Sequence, residues 1–193
     1  MPQDANDVRD YSNVQHSVHT FYNHTFVGKH ILTVGGDYMR DYLMSYQFAN
    51  NGSKHQYTVD GFAQFDWNPT KYFNVITGLR FDYYSDSDIN HFSPKLGLMY
   101  KIGNCSLRGS YAGGFRAPTL KEMYMNFDMA SIFMIYGNPD LKPETSHNFS
   151  LSAEYMKGRY NLTVTGFYNV VDNRITTAWS EALKGQVYTC LLY

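Results

Sequence analysis

The residues best suited to recognising a ligand are concentrated in one stretch, residues 113–146, which is rich in methionine and aromatic side chains. Polarizable and flat side chains of this kind suit a binding surface for a large apolar or planar ligand. They could equally pack the stretch against itself and the rest of the protein, and the sequence leaves both interpretations open. The candidate binding residues are Phe115, Arg116, Ala117, Pro118, Tyr124, Met125, Phe127, Met129, Phe133, Met134, Tyr136, Asn138, Pro139, Asp140 and Leu141.

No pattern in the sequence predicts catalysis or a metal site. His16 and His19 are three residues apart, which places them on opposite faces of a strand, and the other histidines are scattered. The sequence contains no Gly-rich phosphate loop, Gly-x-Ser-x-Gly or Cys-x-x-Cys motif. The two cysteines, Cys105 and Cys190, are interpreted as free thiols. We therefore expect a protein that is not an enzyme, with no catalytic residue, metal or cofactor.

Composition narrows the class of protein further. The 193 residues are enough for one domain, and the net charge of -1 predicts no nucleic-acid surface. The longest apolar run, near residues 132–136, is too short for a membrane-spanning helix. A membrane-spanning strand needs only about 10 residues of alternating polarity, so a membrane barrel is still allowed. The first 13 residues lack the basic start and apolar core of a signal peptide.

Alternation of apolar and polar residues predicts eight strands. The connections between them are alternately short and long. Tight turns joined to long loops in strict alternation are typical of a transmembrane barrel, with short periplasmic turns and long extracellular loops. By that logic residues 113–146 face the outside of the cell. The predicted strands span residues 14–26, 29–38, 56–67, 71–84, 93–102, 105–112, 146–156 and 159–171, separated by long connections at 39–55, 85–92 and 113–145.

The two faces of these strands differ in the way a barrel requires. From the third strand onward the apolar faces carry no charged residue, and Tyr57 and Trp67 bracket the apolar face of the third strand. Ten residues tilted by about 45° span roughly 23 Å, close to the apolar band between two aromatic girdles. This favours antiparallel transmembrane barrel strands over a soluble sandwich. The polar faces would line a lumen with Asp60, Asp66, Arg80, Asp82, Lys95, Lys101, Arg108 and Glu154.

A short helix is predicted inside the long stretch. Thr119 and Glu122 form a Thr-x-x-Glu capping box directly after Pro118. The helix should continue to about residues 124–127, so the stretch has local structure of its own.

Three sequence features resemble the barrel of TonB-dependent outer-membrane receptors: residues 93–98, the Phe-Arg-Ala-Pro box at 115–118 and the Gly-Asn-Pro-Asp-Leu-Lys-Pro-Glu-Thr box at 137–145. The resemblance implies a bacterial outer-membrane location and a 22-stranded barrel plugged by an N-terminal domain. It also implies uptake of a scarce nutrient (iron-siderophore, haem, cobalamin or glycan) driven by the TonB–ExbB–ExbD complex. Haem receptors place a histidine ligand between the two boxes. This chain has only Tyr124 and Tyr136 there as substitutes.

The eight strands would fill only part of such a barrel. We therefore expect residues 1–193 to be a partial outer-membrane β-barrel domain without plug or signal peptide, in contact with membrane lipid and inactive in transport by itself. One alternative is a complete eight-stranded barrel acting as a structural protein, adhesin or small pore. A soluble β-sandwich that binds a ligand is the other.

Overall fold

Alternating polarity produces strands along most of the chain. The computed structural model describes residues 11–48, 52–86, 88–129, 133–180 and 186–192. Within these ranges no helix is long and apolar enough to span a lipid bilayer. The elements are β1 (Tyr11–Thr25), β2 (Ile31–Ser45), β3 (Ser53–Thr70), β4 (Phe73–Tyr84), β5 (Ile89–Ile102), β6 (Cys105–Arg116), α1 (Leu120–Tyr124), β7 (Phe127–Met129), β8 (Phe133–Tyr136), β9 (Glu144–Lys157), β10 (Tyr160–Asp172), β11 (Arg174–Ser180) and β12 (Gln186–Leu192).

Eight of these strands form one antiparallel sheet in the order β1-β2-β3-β4-β5-β6-β9-β10. This confirms the prediction of about eight antiparallel barrel strands. No ladder joins β1 to β10 in the described part of the chain, so the sheet is open at both edges. The alternative of a complete eight-stranded barrel is therefore wrong, because closure requires the first and last strands to pair.

The apolar face of this sheet is exposed. Leu151 is 68% exposed, Leu162 65% and Val164 64%, all on β9 and β10. A soluble sandwich would bury such side chains between two sheets. The sandwich alternative is therefore wrong as well, and the exposed band is what contact with lipid requires.

A second, four-stranded sheet has the order β11-β12-β8-β7. Strands β7 and β8 come from the long connection between β6 and β9, and β12 pairs with β8 in parallel at Val187 and Ile135. The connection predicted between residues 113 and 145 thus contains two short strands that the sequence did not reveal. No strand was predicted between residues 171 and 187, but β11 begins there after the single residue Asn173.

Two other predicted long connections are shorter than expected. β2 and β3 continue to pair through Tyr42–His55 and Met44–Ser53, which leaves only residues 46–52 as the connection. β5 already starts at Ile89, opposite Tyr84, which leaves residues 85–88. Polar and aromatic residues are mixed on both faces there, so local alternation did not reveal the strands.

Candidate functional site

The long connection folds back over the polar face of β2 and β3. The amide nitrogen of Asn126 donates to the carbonyl oxygen of Gln47 at 3.1 Å. This places α1 above the ends of the strands, and the small hydrophobic core of the described structure forms there. Its members are each no more than 6% exposed and are Leu43, Phe48, Leu120, Met123, Met125 and Leu141.

Helix α1 begins with the predicted capping box. The Thr119 hydroxyl accepts from the amide nitrogen of Glu122 at 3.3 Å, and Glu122 Oε2 accepts from the amide nitrogen of Thr119 at 2.8 Å. The box satisfies amide groups that a helix start leaves unpaired. It also fixes the Glu122 carboxylate beside the Phe-Arg-Ala-Pro box.

Arg116 joins the two ends of the long connection. Its Nη1 donates to both carboxylate oxygens of Glu122 at 3.0 and 3.1 Å, and its Nε donates to Glu144 Oε2 at 2.8 Å. The other oxygen of Glu144 accepts from the amide nitrogen of Ile175 at 2.6 Å. We call Arg116, Glu122 and Glu144 the arginine clamp. It ties the end of β6, helix α1, the start of β9 and β11 into one unit.

The clamp lies outside the apolar band, beyond Tyr111 and Phe149 at the end of the β6–β9 ladder. The hydrogen bond from Arg116 lowers the pKa of Glu144 below its usual value. Hydrogen bonding to Glu144, followed by Glu122, raises the pKa of Arg116. Arg116 and Glu144 therefore stay charged near neutral pH, and the contact between them is intact there.

The closing box packs directly on α1. A Cβ atom at Gly137 would lie 2.7 Å from the carbonyl oxygen of Met123, closer than real contacts allow. The amide nitrogen of Asn138 donates to the carbonyl oxygen of Glu122 at 3.0 Å, and its Oδ1 accepts from the amide nitrogen of Asp140 at 2.9 Å. Glycine is therefore needed at position 137, because the helix backbone approaches it closely.

A cavity of about 470 Å³ lies between residues 115–121 and the polar face of β2, β3 and β4. Gln56 and Thr58 form part of its wall and are only 6% and 5% exposed. Within the described residues, neither Gln56 Nε2 nor Thr58 Oγ1 has a hydrogen-bond partner. Buried polar atoms without partners are costly, so this wall can receive a ligand that brings hydrogen-bonding groups. Other lining residues are Met39, Asp41, Leu43, Tyr84 and Phe115.

Further along the same face, Arg80 lies among three aspartates. Its Nη2 is 2.9 Å from Asp60 Oδ2, its Nε donates to Asp82 Oδ1 at 2.9 Å, and its Nη1 is 3.8 Å from Asp37 Oδ2. Asp60 and Asp82 are buried. One arginine thus faces three carboxylates, which leaves this part of the wall negatively charged.

The other predicted lumen residues also pair mostly across the polar face. That this face lines a lumen stays a prediction. The contacts are Arg108 with Glu154 at 2.9 Å, Lys95 with Gln64 at 3.5 Å, and Asp66 with the side-chain amides of Asn68 and Asn74, while Lys101 is exposed.

The candidate binding residues divide into buried, half-buried and exposed groups. Ala117, Pro118, Met125 and Leu141 are buried, so they pack the connection against the sheet. Phe115 and Tyr136 are half-buried, and Phe115 stacks on His91 with 4.4 Å between ring centroids. At the closing box Asn138 is half-buried, and Pro139 and Asp140 are exposed. The side chains of four candidates lie outside the described part of the structure: Phe127, Met129, Phe133 and Met134.

Tyr124 is already engaged by neighbouring side chains. Lys54 Nζ lies 4.0 Å from the centre of its ring. Burial, together with a hydrogen bond to Asp86, raises the pKa of the Tyr124 hydroxyl to about 12. The side chain is therefore held in the packing of the connection as a neutral phenol.

The cavity wall was not predicted from the sequence. Met39 and Asp41 fell within a predicted loop and were not assigned to a face, whereas Gln56 and Thr58 lay at the start of the third predicted strand, with Thr58 on its polar face. Their alternation with outward residues such as Tyr57 was the available signal. Their meeting with residues 115–121 depends on a fold-back between distant segments.

The family model described as "TonB dependent receptor-like, beta-barrel" matches residues 2–187. The chain belongs to this family. It is accordingly part of an outer-membrane β-barrel of a Gram-negative bacterium, as the two sequence boxes predicted.

Three similar proteins illustrate the relationship. The iron-regulated outer membrane virulence protein of Vibrio cholerae is 31% identical over 157 residues, covering 78% of this chain and 24% of that protein. The ferrienterobactin receptor of Escherichia coli is 30% identical over 128 residues, covering 61% and 17%. The crystal structure of the siderophore receptor PirA from Pseudomonas aeruginosa shares the fold, with a TM-score of 0.84 at 18% identity, covering 95% of this chain and 37% of that one. The chain thus spans about a quarter of the length of the first of these relatives.

Proposed function

We propose that this chain is the ligand-facing part of the barrel wall in an outer-membrane receptor that takes up an iron–siderophore complex. The carrying observation is the cavity beneath residues 115–121, with the unpartnered buried polar atoms of Gln56 and Thr58 in its wall. Siderophore complexes present oxygen atoms around the metal, and an amide and a hydroxyl can donate hydrogen bonds to them. The names of the relatives, which include siderophore and ferrienterobactin receptors, support this ligand class.

A siderophore is favoured over haem by the state of Tyr124. Relatives of this chain also include hemoglobin and hemoglobin-haptoglobin-binding proteins of Haemophilus influenzae. A tyrosine ligand to haem iron binds as phenolate, which a pKa near 12 opposes. Tyr124 is also held by Lys54 and Asp86, so releasing it would break existing contacts.

The remaining parts of the proposal concern the whole receptor. Residues 1–193 act as a partial barrel domain, and the candidate loop of residues 115–141 contributes to ligand binding. The polar face lines the lumen, where its charged residues contact water or a plug. Transport is energised by the TonB–ExbB–ExbD complex, and this part alone does not transport.

The test measures uptake of radiolabelled iron by cells that carry the receptor as their only route for iron. Ferric enterobactin is the probe, and haemin is the comparison. We expect Gln56→Leu and Thr58→Val each to raise the KM for the siderophore severalfold, because each removes one hydrogen bond to the ligand. The matched control is Ser110→Ala, on the same face but paired with Ser150 away from the cavity.

Two results would count against the proposal. One is an unchanged KM in both cavity variants, which would show that the cavity does not bind the ligand. The other is growth on haemin together with no uptake of any iron–siderophore complex tried, which would show that the ligand is haem and not a siderophore complex.

A further inference from the structure

Strand β2 carries a positive charge on its lipid-side face. Asp37, Met39 and Asp41 face the polar side, where Asp37 contacts Arg80 and the other two line the cavity. Because side chains alternate along a strand, Arg40 points to the opposite face, and it is exposed. The sequence had shown no charge on the apolar faces from the third strand onward, but β2 was not included in that comparison.

The neighbours of Arg40 on this face are mostly aromatic. It pairs with His16 on β1 and with Tyr57 on β3. Tyr38 on the same strand and Tyr57 are 43% and 44% exposed. His55 stacks on Tyr42 with 5.6 Å between ring centroids. Aromatic side chains with a polar end collect at the level of lipid headgroups.

Arg40 and its aromatic neighbours lie at the height along the strands where lipid headgroups are expected. The backbone of Tyr57 bonds to Ser85, the first residue after β4, through Tyr57 N to Ser85 Oγ at 2.9 Å and Ser85 N to Tyr57 O at 3.0 Å. Arg40 is therefore level with the end of β4 at the side of the long connections. An arginine costs about 2–4 kcal/mol at the midplane of a bilayer but only about 0–1 kcal/mol near its surface.

Arg40 forms no ion pair with the residues that the structure describes. It lines a cavity of about 480 Å³ together with Tyr38, His55, Tyr57, Ser85 and Asp86. The Asp86 carboxylate shares a hydrogen bond with Tyr124, while its Oδ2 is buried without a partner among the described residues. The guanidinium is thus left as an unpaired cation in a cavity at the membrane surface.

We propose that Arg40, with His55 and Tyr57 beside it, binds the phosphate of a lipid headgroup in the leaflet that borders the long connections. A guanidinium can donate two parallel hydrogen bonds to a phosphate, and a neutral histidine and a tyrosine hydroxyl can each donate one more. The exposed apolar residues below, such as Val18 and Val59, contact the acyl chains of the same lipid. The site rests on the outer-membrane location and is independent of the nutrient ligand.

The test uses the receptor that contains this chain, purified from membranes in a non-ionic detergent. It is titrated with phosphatidic acid, and bound lipid is counted by native mass spectrometry. We expect Arg40→Gln to lower the lipid occupancy about tenfold, because it removes two charge-assisted hydrogen bonds that solvent partly screens at an exposed site, and Arg40→Lys to lower it less. Arg159→Gln is the matched control, since Arg159 is also exposed and lies beside a tight turn at the opposite end of the strands. Unchanged heat-dependent gel mobility shows that each variant is folded.

Four results would overturn the site. Equal lipid occupancy in wild type and Arg40→Gln would show that Arg40 does not bind the lipid. An equal loss of occupancy in Arg159→Gln would show that the effect comes from the net charge of the protein. Equally strong binding of diacylglycerol, which has no phosphate, would show that the phosphate is not recognised. Full displacement of the lipid by millimolar inorganic phosphate would show a free-anion site rather than a headgroup site.

Discussion

Replacing Arg116 by glutamine should loosen the long connection without unfolding the sheet. The substitution removes two hydrogen bonds to Glu122 and one to Glu144. The Arg116 side chain is 42% exposed, while those of Glu122 and Glu144 are 28% and 18% exposed, so solvent screens part of the attraction. The free energy lost should lie between that of an exposed ion pair and that of hydrogen bonds to charged groups. We take it as about 2 kcal/mol. The opening equilibrium of the connection should then rise about thirtyfold.

Hydrogen–deuterium exchange of the receptor in lipid nanodiscs measures this opening. The reporters are the amides of Asn126, which donates to the carbonyl oxygen of Gln47 across the fold-back, and of Asn138, which donates to the carbonyl oxygen of Glu122 in α1. Their exchange should accelerate about thirtyfold, while amides in the middle of β3 and β4 keep their rates. Arg108→Gln breaks another arginine–glutamate pair on the same face and should leave the reporters unchanged. Reporter rates within twofold of wild type in the Arg116→Gln receptor would refute the clamp.

Three further perturbations follow from the same geometry. Gly137→Ala puts a methyl carbon 2.7 Å from the carbonyl oxygen of Met123, so α1 must shift and the same reporter amides should exchange faster. Unchanged exchange rates would mean that the backbone accommodates the methyl group without cost. Because the pKa of Glu144 is lowered in the folded state, its contribution to stability is present above about pH 4.5 and is lost as pH falls through the folded pKa. Exchange corrected for its intrinsic rate should show this loss, and a Glu144→Gln receptor with the same pH profile would contradict it. Leu151→Arg places a charge in the middle of the exposed apolar band at a cost of about 2–4 kcal/mol, whereas Ser150→Arg on the polar face should cost much less. The folded fraction of each variant is measured by gel mobility with and without boiling. Equal folded fractions would show that the two faces were assigned wrongly.

Local chemistry made the strands and the start of the helix predictable. The alternation in β4, β6 and β10 identified these strands to within a few residues, and the capping box at Thr119 identified α1. The prediction failed where the partner strand decides the outcome. The ends of β2 and the start of β5 have weak alternation, and their strand structure depends on cross-strand pairs such as Met44–Ser53.

The class of molecule could be read from the amino-acid sequence: period-two polarity, aromatic ends on apolar faces, and the two boxes around residues 113–146 specify an outer-membrane barrel wall. What the boxes do locally depends on the folded chain. Arg116 and Glu144 are 28 residues apart in the chain, and they meet because β6 and β9 pair. The cavity likewise needs Gln56 on β3 and Phe115 on β6 to converge, although β4 and β5 separate their strands in the sheet. Such contacts depend on the closing of long loops and on non-local packing, and no short window of sequence records either.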